Sequence, residues 1–83
     1  MTNEKYDFEN LNIGVNSIMV YILQKNLNQI GADLKEDGIF GDKTDKTVKV
    51  FQEEHNLENN GIVDYKTMLE IDSVYQLQNR KAV

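Results

Sequence analysis

A short phrase occurs twice in this chain, 23 positions apart, and it constrains the fold more than any other feature. The copies are Asp37-Gly38-Ile39-Phe40-Gly41-Asp42-Lys43-Thr44 and Asn60-Gly61-Ile62-Val63-Asp64-Tyr65-Lys66-Thr67. Each begins with Asp-Gly or Asn-Gly, a dipeptide that favours a tight turn because Gly adopts positive φ easily. Two apolar residues and a stretch typical of a helix start follow. The chain therefore uses one turn-plus-helix unit twice.

Apolar residues at helical spacing predict three helices, over residues 17–30, 42–55 and about 65–78. Asn16 and Asp64 are the residues we expect to cap the first and third helices, because short polar side chains accept from free backbone N–H groups there. Gly31 and Asn56 are the residues expected in the left-handed conformation that ends a helix. The loops between the helices are then short and similar.

The predicted fold class is all-α, a small three-helix bundle with two similar turn loops. No segment alternates long enough to demand a strand, and residues 38–40 and 61–63 suffice for a small β-bridge at most. We expect both apolar residues of each phrase to enter the core. The hydroxyls of Thr44 and Thr67 are expected to bond to local backbone. The chain has no Cys, so helix packing must hold it together.

The predicted organisation is an N-terminal lead-in over 1–13, a domain over 14–78 and a C-terminal tail over 79–83. The aromatic residues of the lead-in, Tyr6 and Phe8, are candidates to pack against the domain. Ile18 and Ile22 lie off the apolar stripe of the first helix and widen its apolar surface. Two explanations stay open: the N-terminal segment covers them, or they form a patch that binds a partner.

The charge balance disfavours two classes of partner. With 9 Lys and Arg against 14 Asp and Glu, the formal net charge is −5. Nucleic acid and anionic membrane surfaces are therefore disfavoured, because both attract basic proteins. No stretch approaches the ~20 apolar residues of a membrane span. The first residues lack the basic start and apolar run of a signal peptide, so we expect no classical leader.

Catalytic chemistry has little support in the sequence. His55 is the one His, and neither Ser17 nor Ser73 lies in a recognisable nucleophile context. Aligning either turn glycine with the glycine of an EF-hand loop places Thr44 or Thr67 where the bidentate Glu should be. We expect no enzyme activity, no metal and no cofactor, and a packing role for His55 at a helix end.

An ordered set of residues runs through both repeats: Val20-x-x-Leu23-Gln24-x-x-Leu27-x-x-x-Gly31, Asp37-Gly38-Ile39-Phe40-Gly41-x-x-Thr44-x-x-x-Val48-x-x-Phe51-Gln52, Leu57 and Asn60-Gly61-Ile62-Val63-x-x-x-Thr67-x-Leu69. This set resembles the peptidoglycan-binding domain family, the three-helix module of bacterial and phage wall hydrolases, over roughly residues 14–72. Four positions depart from the family pattern, where Gly, Asp, Gly and Trp are usual: Asn56, Asn60, Asp64 and Met68.

The resemblance implies non-catalytic binding of peptidoglycan, through its glycan or stem peptide, that targets a linked or associated wall-active protein such as an endolysin. It implies a cell-wall or extracellular location and a bacterial or phage setting. It also implies that the amides of Gln24 and Gln52 hold loop backbone. The alternative is a protein–protein interaction or structural module of a phage or secretion particle, with its partner at Ile18 and Ile22.

The two repeat loops are the expected walls of a shallow binding groove. Asp37, Asp42, Asn60 and Tyr65 are the candidate polar contacts to peptidoglycan. For each of them, cap or turn chemistry is the alternative role, because the spacing already explains such roles. Acidic charge disfavours simple electrostatic adhesion to an anionic wall, so recognition must come from shaped hydrogen bonding.

Overall fold

The computed structural model describes residues 8–78, and within them the chain forms three helices. They are α1 (Ile18–Gln29), α2 (Asp42–Glu54) and α3 (Tyr65–Gln78). This part of the chain contains two isolated β-bridges and no longer strand, so the predicted all-α class and three-helix order are confirmed. None of these helices is long and apolar enough to cross a membrane.

The first helix is capped one residue later than predicted. Ser17, not Asn16, is the N-cap of α1, and its Oγ accepts a hydrogen bond from the Val20 N–H at 3.3 Å. The prediction of Asn16 is wrong because Asn16 belongs to a β-bridge with Ile39. The backbone of Asn16 is therefore still paired with Ile39, and the helix begins only after the next residue.

The other predicted helix ends are confirmed. Asp64 Oδ1 accepts from the Thr67 N–H at 2.9 Å, as an N-cap of α3 should. Asn56 has φ 60° just after α2, and Gly31 has φ +116° after α1. These residues end their helices because Gly, and after it Asn, adopt positive φ at least cost.

The core lies between the helices and beneath the loops. Its fully enclosed apolar residues include Val20 and Leu23 from α1, Val48 from α2 and Ile71 from α3. Further core residues come from the segments between helices: Leu11, Leu34, Phe40 and Val63. The loops therefore contribute to the core as the helices do.

Only one residue of each apolar pair in the repeated phrase is buried. Phe40 and Val63 are 1% and 0% exposed, whereas Ile39 and Ile62 are 52% and 36% exposed. The prediction that both residues enter the core is wrong, because successive side chains of extended backbone point to opposite sides.

Residues 11–17, the N-terminal segment, pair with both repeat loops. Leu11 and Val63 exchange both backbone hydrogen bonds, at 3.0 and 2.8 Å. The Phe40 N–H donates to Val15 O at 3.0 Å, and the Ser17 N–H donates to Gly38 O at 3.0 Å. The segment therefore ties the two loops together.

The predicted lead-in packs partly on the domain. The Phe8 ring lies 6.3 Å from the Tyr65 ring, and Leu11 is buried. Ile18 and Ile22 remain 71% and 37% exposed, so residues 8–17 do not cover them. Tyr6 and the predicted tail over 79–83 lie outside the described residues, and the division at residue 13 stays a prediction.

Candidate ligand-binding loops

Loop 1, residues 30–41, is organised by a buried glutamine of α1. Gln24 Oε1 accepts from the N–H groups of Asp37 and Gly38 at 3.0 and 2.9 Å. Its Nε2 donates to Ile39 O at 2.9 Å and to Thr44 Oγ1 at 3.2 Å. One side chain therefore fixes the turn and the start of α2 together.

Loop 2, residues 55–64, repeats this arrangement around Gln52 of α2. Gln52 Oε1 accepts from the Gly61 N–H at 2.9 Å, and Nε2 donates to Ile62 O at 3.0 Å and Thr67 Oγ1 at 3.3 Å. The predicted role of both glutamines in holding loop backbone is confirmed.

The threonine hydroxyls differ from expectation. Thr44 and Thr67 accept from the glutamine amides instead of bonding to local backbone.

The first residue of each turn forms the same local hydrogen bond. Asp37 Oδ1 accepts from the Ile39 N–H at 3.0 Å and from Gln24 Nε2 at 3.3 Å. Asn60 Oδ1 accepts from the Ile62 N–H at 2.9 Å and from Gln52 Nε2 at 3.4 Å. The turn role that the sequence allowed for both residues is therefore present.

The two turns differ in charge. The backbone N–H of Ile39, aided by the Gln24 amide and the Lys35 charge, holds the pKa of Asp37 below its usual value. Asn60 occupies the equivalent position without a titratable group. Loop 1 therefore presents a negative charge where loop 2 presents a neutral amide.

Loop 1 is longer and carries a second brace. The turn begins 13 residues after Gln24, but only 8 residues after Gln52 in loop 2. Asn28 holds the extra residues, because its Oδ1 accepts from the Leu34 N–H at 2.7 Å and its Nδ2 donates to Leu34 O at 2.8 Å. The same Nδ2 donates to Glu36 Oε2 at 2.9 Å.

Both turn glycines are required by conformation and by space. Gly38 and Gly61 have φ 77° and 75°, as predicted. A Cβ on Gly38 would lie 3.1 Å from the backbone oxygen of Ser17. A Cβ on Gly61 would lie 2.5 Å from Asp45 Oδ1, whose carboxylate pairs with Lys49 at 3.2 Å. The first turn therefore packs against the backbone of Ser17, and the second packs against the Asp45–Lys49 ion pair.

Each loop borders its own surface depression. The loop 1 depression has a volume of about 410 Å³ and is lined by Asp37 and by the exposed Ile18, Tyr21 and Ile39. The loop 2 depression has about 160 Å³ and is lined by Asn60 among others. The two candidate residues Asp37 and Asn60 therefore lie in separate depressions.

The other two candidates stand at equivalent helix starts. Asp42 is the first residue of α2 and Tyr65 the first residue of α3, and both side chains are exposed. The four predicted contacts therefore occupy equivalent positions in the two repeats: Asp37 and Asn60 begin the turns, and Asp42 and Tyr65 begin the helices that follow. Tyr21 and Ile39 also line the loop 1 depression, although neither was among the predicted contacts. Tyr21 lies off the buried stripe of α1 next to Ile22, which was a usable signal.

A third groove, of about 480 Å³, lies between the helices near the end of α2. Its lining includes His55, whose ring stacks on Phe51 with centroids 4.1 Å apart. His55 Nδ1 lies 3.0 Å from Glu70 Oε2. The predicted packing role of His55 is confirmed. Within residues 8–78, no three His, Asp or Glu side chains group so as to hold a metal ion.

Comparison with known proteins gives one family. The sequence model described as "Putative peptidoglycan binding domain" matches residues 17–71. The matched range contains both glutamines, both turns and the three helix starts. No curated protein matches the sequence significantly.

Solved structures give the same fold. A fused Zn-dependent amidase/peptidase/peptidoglycan-binding domain-containing protein from Clostridium acetobutylicum is 33% identical, with a TM-score of 0.76, over 77% of this chain and 29% of that one. The Burkholderia AP3 phage endolysin is 33% identical, with a TM-score of 0.75, over 80% of this chain and 25% of that one. The SleB N-terminal domain is 26% identical, with a TM-score of 0.79, over 86% of this chain and 99% of that one.

This chain thus spans under a third of the first two proteins and nearly all of the third. The family match covers most of the chain and includes the residues that build both loops. The chain therefore belongs to the peptidoglycan-binding domain family.

Proposed function

We propose that this chain is a non-catalytic module that binds bacterial peptidoglycan and keeps a linked or associated wall-active protein at the cell wall. The observation that carries the proposal is the family match over residues 17–71, which includes every residue of the two glutamine-centred loops. The amidase/peptidase and the endolysin, of which this chain covers 29% and 25%, fit the same arrangement of a small module within a larger wall protein.

The geometry of the loops suits this function. Gln24 and Gln52 fix both turns from within, so little conformational freedom remains to be lost when a ligand binds. Two similar turns on one small domain also suit a polymer that offers the same chemical groups repeatedly. Recognition through preformed surfaces of this kind gives modest affinity per contact and benefits from repetition.

The environment of the histidine supports a role without catalysis. The His55 ring is stacked on Phe51 and paired with Glu70, so it packs α2 against α3. The chain has no Cys to act as an alternative nucleophile. The benefit to a linked enzyme is then a higher local concentration at its substrate, which can strengthen overall binding by about 10²–10⁴ without new catalytic groups.

Asp37, Asp42, Asn60 and Tyr65 remain the proposed polar contacts. Asp37 and Asn60 each use Oδ1 inside the turn, which leaves the other side-chain atom, Oδ2 or Nδ2, without a partner in residues 8–78. Asp42 and Tyr65 begin their helices and are exposed to solvent. The proposed surface therefore consists of the loop tips and the helix starts that follow them.

Co-sedimentation with insoluble peptidoglycan, stripped of teichoic acid and taken from several wall types, tests this function. We expect saturable pelleting of the purified chain. Asp42→Ala and Tyr65→Ala together should reduce it at least fivefold, with circular dichroism checking that the variant stays folded. Asp72→Asn, on the exposed surface of α3, is the control. Absence of pelleting with every wall type would refute the proposal and direct attention to a protein partner at Ile18 and Ile22.

A further inference from the structure

The loop 1 depression is bordered by apolar side chains that the rest of the described chain leaves uncovered. Ile18 is 71% exposed, Ile39 is 52% exposed and Tyr21 is 37% exposed, and all three line the same depression of about 410 Å³. Apolar groups clustered around one depression are a typical feature of binding sites. The walls are preformed, because Gln24 holds the turn that carries Ile39.

The charge of this depression has one sign. Glu36 and Asp37 are the charged residues in its lining, and both are acidic. The Asn28 amide holds the Glu36 carboxylate, and the turn holds Asp37. Lys35 lies near Asp37 but outside the lining. The depression therefore combines an apolar wall with two fixed negative groups.

The other two depressions have mixed charge. The loop 2 depression is lined by Lys66 as well as by Glu58 and Asp64. The groove near the end of α2 is lined by Lys46 as well as by Glu54. A ligand with a positive group and small apolar groups is therefore best matched to the loop 1 depression.

We infer that the loop 1 depression binds the stem peptide of peptidoglycan at a lysine or diaminopimelate residue whose side-chain amine is free. This inference rests on the proposed function, and it adds which part of the polymer is recognised. The stem peptide carries primary ammonium groups and alanine methyl groups. The glycan amines are acetylated in the polymer, so the glycan offers no comparable cation.

The roles within the depression follow from the contacts. Asp37 Oδ1 is used by the Ile39 N–H and the Gln24 amide, whereas Oδ2 has no partner in residues 8–78 and accepts from the ammonium group. Glu36 provides the second carboxylate. The Tyr21 ring and the Ile39 side chain contact methyl and methylene groups of the peptide.

Asp37→Asn is the matched variant for this test, because Asn60 already forms the same turn hydrogen bond in loop 2. The probe is a soluble disaccharide tripeptide with lysine at its third position, compared with the same molecule after acetylation of the ε-amine. We expect the wild-type chain to bind the acetylated probe about fivefold more weakly, the strong end of the range for a solvent-exposed charged pair. Asp37→Asn should lose most of this preference, because only the Glu36 carboxylate then remains to attract the ammonium group.

The control is Asp72→Asn, which makes the same charge change on α3 outside the lining of the three depressions. It should keep the fivefold preference. Amide chemical shifts should change at Tyr21, Gly38 and Ile39 when the free-amine probe binds, and much less at Gly61. Tyr21→Ala should weaken binding of both probes while preserving the preference.

Several outcomes would overturn the inference and leave the proposed function intact. One is pelleting with insoluble peptidoglycan together with equal binding of the two probes. Another is pelleting without binding of either probe, which would assign recognition to a part of the polymer that the disaccharide tripeptide lacks. Shifts at Tyr21 and Ile39 that depend on protein concentration alone would assign this surface to a second copy of the chain. If the wild-type chain does not pellet with insoluble peptidoglycan of any wall type, the proposed function itself is refuted.

Discussion

The two loops show which parts of the repeated unit the fold requires and which are additions. Both have a buried Gln, a Gly at positive φ and a Thr hydroxyl within reach of the glutamine amide. Both begin with a side-chain oxygen that accepts from the N–H two residues on. These shared contacts satisfy the polar backbone of a tight turn above an apolar core, which is a general requirement of folding.

The differences between the loops are concentrated in loop 1. It is longer, it is braced by Asn28, and it begins with an ionisable Asp37 where loop 2 has Asn60. Its glutamine accepts from two backbone N–H groups, whereas Gln52 accepts from one. Loop 1 is thus both more strongly organised and more strongly charged, which fits a recognition role more than a purely structural one.

Replacing each glutamine by methionine should have the largest effect and should separate the loops. Gln24→Met keeps the volume and leaves the N–H groups of Asp37 and Gly38 and the C=O of Ile39 without their buried partner, so we expect a loss of about 3 kcal/mol in the free energy of unfolding. Gln52→Met leaves one N–H and one C=O, with an expected loss of about 2 kcal/mol. Urea unfolding at neutral pH measures both values.

The order of the two losses is the informative result. A larger loss for Gln52→Met would mean that the extra hydrogen bond of loop 1 contributes little, because Asn28 alone holds the loop. Asn28→Ala in the Gln24→Met background would then show a strong coupling between the two braces.

The helix order could be predicted from sequence because local patterns determine it, whereas the glutamine roles were implied by the family resemblance. The stripe of α1, the Asp64 cap and the positive φ of Asn56 each follow from nearby residues. The N-cap of α1 was misassigned because Asn16 pairs with loop 1, a contact between residues 23 positions apart. Neither capping preference nor periodicity contains information about such a contact.

The candidate site was less predictable than the fold. Asp37 and Asn60 were proposed because they repeat, but the repeat did not indicate that they line two separate depressions. Leu11 looked like part of a polar lead-in, yet it exchanges backbone hydrogen bonds with Val63 and is buried. A single apolar residue in a polar segment has no period from which its burial could be inferred.

Substituting the turn glycines should have the second-largest effect. Gly38→Ala and Gly61→Ala should each cost about 1–2 kcal/mol for the left-handed backbone alone. Steric crowding adds to this cost, and its source differs between the loops. At Gly38 the neighbour is the Ser17 backbone oxygen, which cannot move independently, whereas at Gly61 it is the Asp45 carboxylate.

Asp45→Ala should therefore recover part of the stability lost in Gly61→Ala. The double variant, compared with both single variants by urea unfolding, should show a favourable coupling of about 0.5–1 kcal/mol. Asp45→Ala combined with Gly38→Ala is the control, and its effects should be additive. Additivity in the Gly61 pair would show that the Asp45 side chain moves away without cost.

The smallest effect should be the pH dependence that distinguishes Asp37 from Asn60. Because the folded state lowers the pKa of Asp37 from its ordinary value of 3.8, the ionised carboxylate stabilises the fold above that pH. This contribution disappears as the pH falls through the lowered pKa. The difference in unfolding free energy between the wild type and Asp37→Asn should therefore shift against the wild type on acidification from pH 7 to pH 2.

The reciprocal change in loop 2 sharpens this comparison. Asn60→Asp places a carboxylate in the same turn geometry, facing the Ile62 N–H and the Gln52 amide. It should acquire an acid-dependent loss of stability that the wild-type loop 2 lacks, and NMR titration of the new carboxyl should give a pKa below 3.8, the ordinary value of an Asp carboxyl. An unshifted pKa at residue 60 would mean that the charge two residues before the turn, Lys35 in loop 1 and Glu58 in loop 2, matters as much as the turn hydrogen bonds. Lys35→Gln would then raise the pKa of Asp37 toward its ordinary value, whereas control by the turn leaves the pKa lowered.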